Sequence, residues 1–267
     1  MENMDNLIAI VSAVFYIAAT CMIVPGLMQQ TSIRIKPVFT SALLALFFHI
    51  WLLADLILHG TGQNLSILNV ASLISFMISL SMSLAMLKTR IWFLLPLIYC
   101  FSALNILAAT LLPGHFITHL EGRAGLVTHI SLALIAYATL TIAALYALQL
   151  TWLDYKLKRK KTLTINTNHP PLMMVERQLF SIVLLGTGFL TLTLLSGFIF
   201  LDDIFAPGKA HKTILSFVAW VVFSILLWGH YRHGWRGRLV AWFTVSGATL
   251  LTMAYFGNRL LQEIILS

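Results

Sequence analysis

Long apolar runs broken by short polar clusters dominate this chain. Runs of about 20 apolar residues, the length that crosses a bilayer as a helix, fall at about 7–28, 37–58, 67–87, 91–112, 126–152, 179–201, 213–230 and 240–261. Between them stand "HGTGQN", "LLPGH", "EGRAG", "NHPP" and "APGKAHK", rich in the Gly, Pro and Asn that end helices and make turns. The pattern predicts an all-α polytopic membrane helix bundle of about eight transmembrane helices, forming a single integral membrane domain over 1–267. No internal repeat stands out.

Inside the runs the polar positions are themselves patterned. Asn69, Ser72, Ser75, Ser79 and Ser83 share one arc of a helical wheel. That stripe is expected to face the bundle interior, bonding imidazoles or lining a cavity. From His129, the positions Ala133, Ala136, Leu140, Ala143, Ala144 and Ala147 follow at helical spacing. Such a small-residue face admits a neighbouring helix or a flat macrocycle.

Composition removes the remaining alternatives. The chain is 59% hydrophobic and 10% charged, with mean hydropathy +0.90, against roughly 25% charged in soluble domains. A sizeable soluble domain has no room. The +8 net charge is spread over short loops, which excludes a nucleic-acid surface. The first run is too long for a signal-peptide core and follows the acidic "MENMD", so it is expected to stay as a helix. Cys21 and Cys100 lie in separate runs, with no C-x-x-C or C-x-x-C-H. Both are expected to be buried small hydrophobes.

Lysine and arginine set the expected orientation. One alternating set of loops holds Arg34, Lys36, Lys88, Arg90, Lys156, Lys158, Arg159, Lys160, Lys161, Arg177, Arg232, Arg236 and Arg238. The other set holds Arg123, Lys209, Lys212 and Arg259. This bias predicts both termini outside the cytoplasm. It places "GHYRHGWRGR", residues 229–238, at the cytoplasmic face, where its arginines serve as anchors beside anionic headgroups.

Ionisable groups inside a bilayer are costly and mark function. His49, His129 and His230 fall within or at the edges of runs. A proton relay calls for intramembrane carboxylates, and Asp55, near a run end, is the one candidate. A zinc hydrolase calls for H-E-x-x-H, which is absent. Haem iron needs one or two axial imidazoles and an apolar cleft, and that suits this inventory best. Helical rise puts His129 ~5 Å, His49 ~14 Å and His230 ~25 Å below the outer boundary. One site cannot hold all three, so His49 is expected to share an iron with one of the others. His59, His115, His119 and His211 lie in outer loops, with His115 and His119 spaced for one helical turn. His169 and His233 lie on the opposite side.

The run "AHKTILSFVAWVVFSILLWGHYRHGWRGRLVAWFTVSGATLLTMAYFGNRLL" resembles the C-terminal signature of cytochrome c assembly proteins of the CcsA and HemX type. The matching elements are "HKT", "GH", "GWRGR" and "YFGNR". "THISLALIAYATLTIAALYALQL" resembles the family's earlier histidine helix, with Tyr137 following His129 as the family's tyrosine follows its histidine. The strongest resemblance covers 126–260, and the whole chain looks most similar to the short, eight-span members of the YpjD type.

The resemblance implies noncovalent binding or movement of haem b, linked to cytochrome c assembly or haem homeostasis, in a multi-pass protein of the bacterial inner (cytoplasmic) membrane. It implies His129 as an outer-face iron ligand and His230 as an intramembrane ligand, with His49 lacking a motif counterpart. Arg236 and Arg238 become candidate propionate anchors. Implied partners are haem, the lipid bilayer and other cytochrome c assembly or haem-biosynthesis proteins, with no nucleic acid and no chemical turnover. Two family features are missing: "GFIFLDDIFAPGKAHKT" stands where a tryptophan-rich segment belongs, and no histidine follows "YFGN". Binding or regulation is therefore implied more than delivery to an apocytochrome. The alternatives are a non-haem scaffold or regulatory subunit stabilising a partner, and a small-molecule transporter using the serine stripe.

Overall fold

The computed structural model describes residues 2–29, 32–58, 62–89, 91–112, 114–158, 171–201 and 210–260. His59, His169, Arg90, Arg159, Lys160, Lys161 and Lys209 lie outside the described residues. Eight helices follow in chain order: α1 Glu2–Gln29, α2 Ile35–Leu58, α3 Ile67–Ala85, α4 Leu95–Leu111, α5 Ala124–Lys158, α6 Leu172–Phe200, α7 Ala210–His233 and α8 Arg238–Leu260. Seven are long and apolar enough to cross a membrane. The other, α4, has 17 residues, a rise of ~25 Å.

Helix ends differ from the hydropathy boundaries where polar residues continue a helix or apolar ones fail to. Helix α6 starts at Leu172 rather than near 179, so Glu176 and Arg177 are helical. Pro171 stands at its N-cap, where a missing N–H is harmless. Conversely, Ile91–Leu94 make a turn before α4 although all four side chains are apolar.

The helices gather into two compact units, divided near Leu120. In the first, α1 packs on α2 and α4, and α3 packs on both α2 and α4, closing a four-helix ring. Neighbours run antiparallel: Tyr16 meets His49, His49 meets Ser72, and Ser83 meets Tyr99. At one end Ala9, Leu52, Leu53 and Ile106 form an apolar plug. A two-residue strand, Gln63–Asn64, pairs antiparallel with Ile117–Thr118 and ties the α2–α3 connection to the segment after α4. The helical turn expected to bear His115 and His119 is not formed: the two residues flank the short strand Ile117–Thr118, with both side chains exposed.

The second unit closes the same way, with α5 on α6 and α8, and α7 on α6 and α8. Leu140 fills the space over Gly186, and Ala136, Ala143 and Ala147 are buried. The small-residue face of α5 therefore serves close packing against α6.

Outward faces are apolar too, with Leu7, Leu104, Ile199 and Trp242 exposed. Cys21 and Cys100 are among these exposed positions, contrary to the expected burial. A helix bathed in lipid can be apolar on every face, so hydrophobicity does not report burial there. Hydroxyls on such faces turn back to their own helix, as Ser81 does to the Met77 carbonyl and Thr249 to that of Val245.

Candidate functional site

The serine stripe of α3 faces the first unit's interior: Ser72, Ser75, Ser79 and Ser83 are fully buried and Asn69 is 3% exposed. Buried hydroxyls need partners within the bundle: those of Ser72, Ser79 and Ser83 bond across helices, and that of Ser75 donates to the Ser72 carbonyl of its own helix. Ser79 Oγ meets Ser102 Oγ at 2.7 Å, and Ser83 Oγ meets the Tyr99 hydroxyl at 2.8 Å. His49, fully buried on α2, joins the same network. Its Nδ1 lies 3.1 Å from the Tyr16 hydroxyl and its Nε2 2.9 Å from Ser72 Oγ. Both ring nitrogens are engaged. A hydroxyl can donate or accept, so either tautomer satisfies this pair.

The second unit treats its histidines differently. His129, half-buried on the second turn of α5, sets Nδ1 3.1 Å from the Thr193 carbonyl and 3.0 Å from Ser196 Oγ. Ser196 Oγ already donates to the Thr193 carbonyl at 2.9 Å, and a carbonyl only accepts. Nδ1 therefore carries the proton. Two glycines allow this approach: a Cβ on Gly197 would lie 3.2 Å from His129 Cε1, and one on Gly125 would lie 2.5 Å from the Phe200 ring. Helices α5 and α6 interlock there, ring against backbone in both directions.

His230 sits three residues before the end of α7. Its Nδ1–H donates to the Trp235 carbonyl at 3.1 Å, and its ring stacks on Phe180 at 3.3 Å between centroids and 15° between planes. The "GHYRHGWRGR" stretch folds to make this possible. Gly234, with φ +66°, stops the helix and donates to the His230 carbonyl, while Trp235 N–H reaches back to the Gly229 carbonyl. The Trp235 ring lies on the backbone at Gly229, where any side chain would collide with it. Gly237, with φ +68°, turns the chain into α8. The motif is a clamp that presents one carbonyl to one imidazole nitrogen.

In both His129 and His230, Nδ1–H is tied to a backbone carbonyl, and Nε2 makes no hydrogen bond among the described residues. A carbonyl holding one ring N–H fixes the tautomer and raises the basicity of the other nitrogen, the usual surroundings of a metal-ligating histidine. The donor set fits an axial ligand of haem iron. The two do not meet each other. His129 contacts Thr193 and His230 contacts Phe180, positions ~20 Å apart along α6. No single iron spans that.

Arg236 and Arg238 are exposed. Arg236 Nε lies 3.7 Å from Glu176 Oε1, so its first partner is a carboxylate of the chain itself. Sequence reasoning missed Glu176 because the polar "VERQ" reads as loop. It also missed Phe180 and Trp235, whose roles are a ring face and a backbone carbonyl. Gln149, 2% exposed, has no hydrogen-bond partner at either side-chain N or O atom among the described residues. Among the described residues, no group of three or more His, Cys, Asp or Glu is placed to hold a metal ion.

No solved structure matches the chain. Inner membrane protein YpjD of Escherichia coli strain K12 is 48% identical over 259 residues, covering 96% of this chain and 98% of that protein. An uncharacterized 28.8 kDa protein in the nifR3-like 5′ region of Azospirillum brasilense is 31% identical over 140 residues, 52% of each chain. The family model described as cytochrome C assembly protein matches residues 38–266. This chain, which carries His49, His129 and His230 inside the matched region, belongs to the cytochrome c assembly protein family.

Proposed function

We propose that this protein is a multi-pass inner-membrane protein that holds haem b noncovalently and serves cytochrome c assembly or haem homeostasis. The observation that carries the proposal is the pair of second-unit histidines whose Nδ1–H is tied to a carbonyl. Bound haem would supply iron with open axial positions, and Nε2 of His129 and of His230 are the atoms fitted to it. Their separation along α6 makes them two ligand positions rather than one pair. For His49 to share either iron, it must first give up Ser72 or Tyr16. The Arg236 guanidinium, already facing Glu176, acts on the loop, and Arg238 is left as the freer candidate for a propionate.

Both termini are proposed to lie outside the cytoplasm, which places the His230 clamp at the cytoplasmic end. Reporter fusions after residue 165 are expected to be active in the cytoplasm and fusions at residue 64 are not. The opposite pattern reverses the assignment of the two ends. Partners would be haem itself, the bilayer and other assembly or haem-biosynthesis proteins. Titrating haemin into the purified protein tests the function. Saturable binding with a low-spin spectrum supports haem handling, and no binding favours a scaffold that stabilises a partner.

A further inference from the structure

We infer that Glu176 is a positioning residue for His230, acting through Arg236 on the loop that carries Trp235. His230 as an iron ligand belongs to the proposal above, whereas its positioning stands on contacts within the second unit. A carboxylate largely shielded from water at the head of a helix is costly and needs a reason. Glu176 is the fifth residue of α6, its side chain is 16% exposed, and its Oε1 is buried without a hydrogen bond among the described residues. The Arg236 contact at 3.7 Å is ionic, longer than a hydrogen bond. So the carboxylate is not there to be well solvated.

Its neighbours supply the reason. Phe180, one turn further along α6, lies against the His230 ring. Arg236 directly follows Trp235, whose carbonyl accepts His230 Nδ1–H. Helix α6 thus holds both parts of the arrangement, the imidazole by ring stacking and the carbonyl-bearing loop by charge. The glycines on either side of the Trp235–Arg236 pair both have positive φ, so the peptide between them sits in a segment with wide conformational freedom. Without the Glu176 charge, that loop can turn the carbonyl away. Nδ1–H then loses its acceptor, and the proton is free to move to Nε2, where it blocks the lone pair.

The test uses full-length protein labelled with 15N-histidine, in micelles without haem, at a pH where imidazole is neutral. The His230 signals are identified by their loss in His230→Gln. In the parent, the Nδ1–H tautomer of His230 should predominate. Glu176→Gln and Arg236→Gln should each lower the Nδ1–H to Nε2–H ratio about 5-fold, the shift for one neutral hydrogen bond. The double variant should be no lower than either single, because the two act as one unit. An unchanged ratio in Glu176→Gln, or a double variant that sums the singles, overturns the positioning role. So does a matching tautomer change at His129, which would mark general loosening. Should haemin fail to bind the parent, the ligand proposal falls while the tautomer ratios still decide this one.

Discussion

The two units share a wiring, a closed ring of four antiparallel helices, but handle imidazole in opposite ways. In the first, His49 is fully buried and bonded at both nitrogens by hydroxyls from α1 and α3. In the second, His129 and His230 are each bonded to a carbonyl at Nδ1. Hydroxyl partners leave the tautomer open and both nitrogens occupied. A carbonyl partner fixes the proton on one side and prepares the other side to accept iron. Under the proposed function, an intramembrane histidine is not by itself a ligand; the type of atom opposite its N–H separates the proposed ligand positions, His129 and His230, from the helix-joining His49.

The comparison is broken first by stability without haem. His49→Ala is expected to cost about 2–5 kcal/mol, since it opens a cavity and strands Tyr16 and Ser72. His129→Ala is expected to cost about 1 kcal/mol, because its site is only half-buried and Ser196 still bonds the Thr193 carbonyl. Unfolding in mixed micelles reads both values. Equal losses would erase the distinction between the units.

The clamp gives the next effect. Gly229→Ala forces Trp235 off α7 and is expected to destabilise by about 1–3 kcal/mol, with weaker haem retention at His230 and none of that weakening at His129. Tryptophan fluorescence together with haem off-rates checks it, and an unshifted Trp235 environment counts against the clamp. A smaller effect sharpens the account of the first unit. The Ser79–Ser102 pair, at 2.7 Å, should show a coupling energy of about 0.6 kcal/mol in a double-mutant cycle, the average for hydrogen bonds between membrane helices. Smallest of all, Arg238→Lys is expected to leave haem occupancy unchanged if its charge alone matters. A marked loss there would identify a bidentate fork on a propionate.

Hydropathy made the helices and the serine stripe of α3 legible, since burying Ser72, Ser75, Ser79 and Ser83 follows directly from their spacing and from lipid on the other face. The family motif singled out His129 and His230, each of which the structure ties at Nδ1 to a backbone carbonyl. What stayed hidden depends on backbone and on long-range register. Trp235 contributes a carbonyl, which no residue type announces, and Thr193 does the same for His129. Glu176 was hidden because a charged turn at the head of a membrane helix looks like its preceding loop. Cys21 and Cys100 were misplaced for a simpler reason: in lipid, apolar does not mean interior.

The central claim is that His129 and His230 are the ligands and that each has its own position. Absorption spectra of haemin-reconstituted parent, His129→Ala, His230→Ala and the double variant test this most directly. The account predicts a Soret band in the parent, partial loss in each single variant with different residual spectra, and near-complete loss in the double. A parent without a Soret band, or a double variant that retains the parent spectrum, contradicts it.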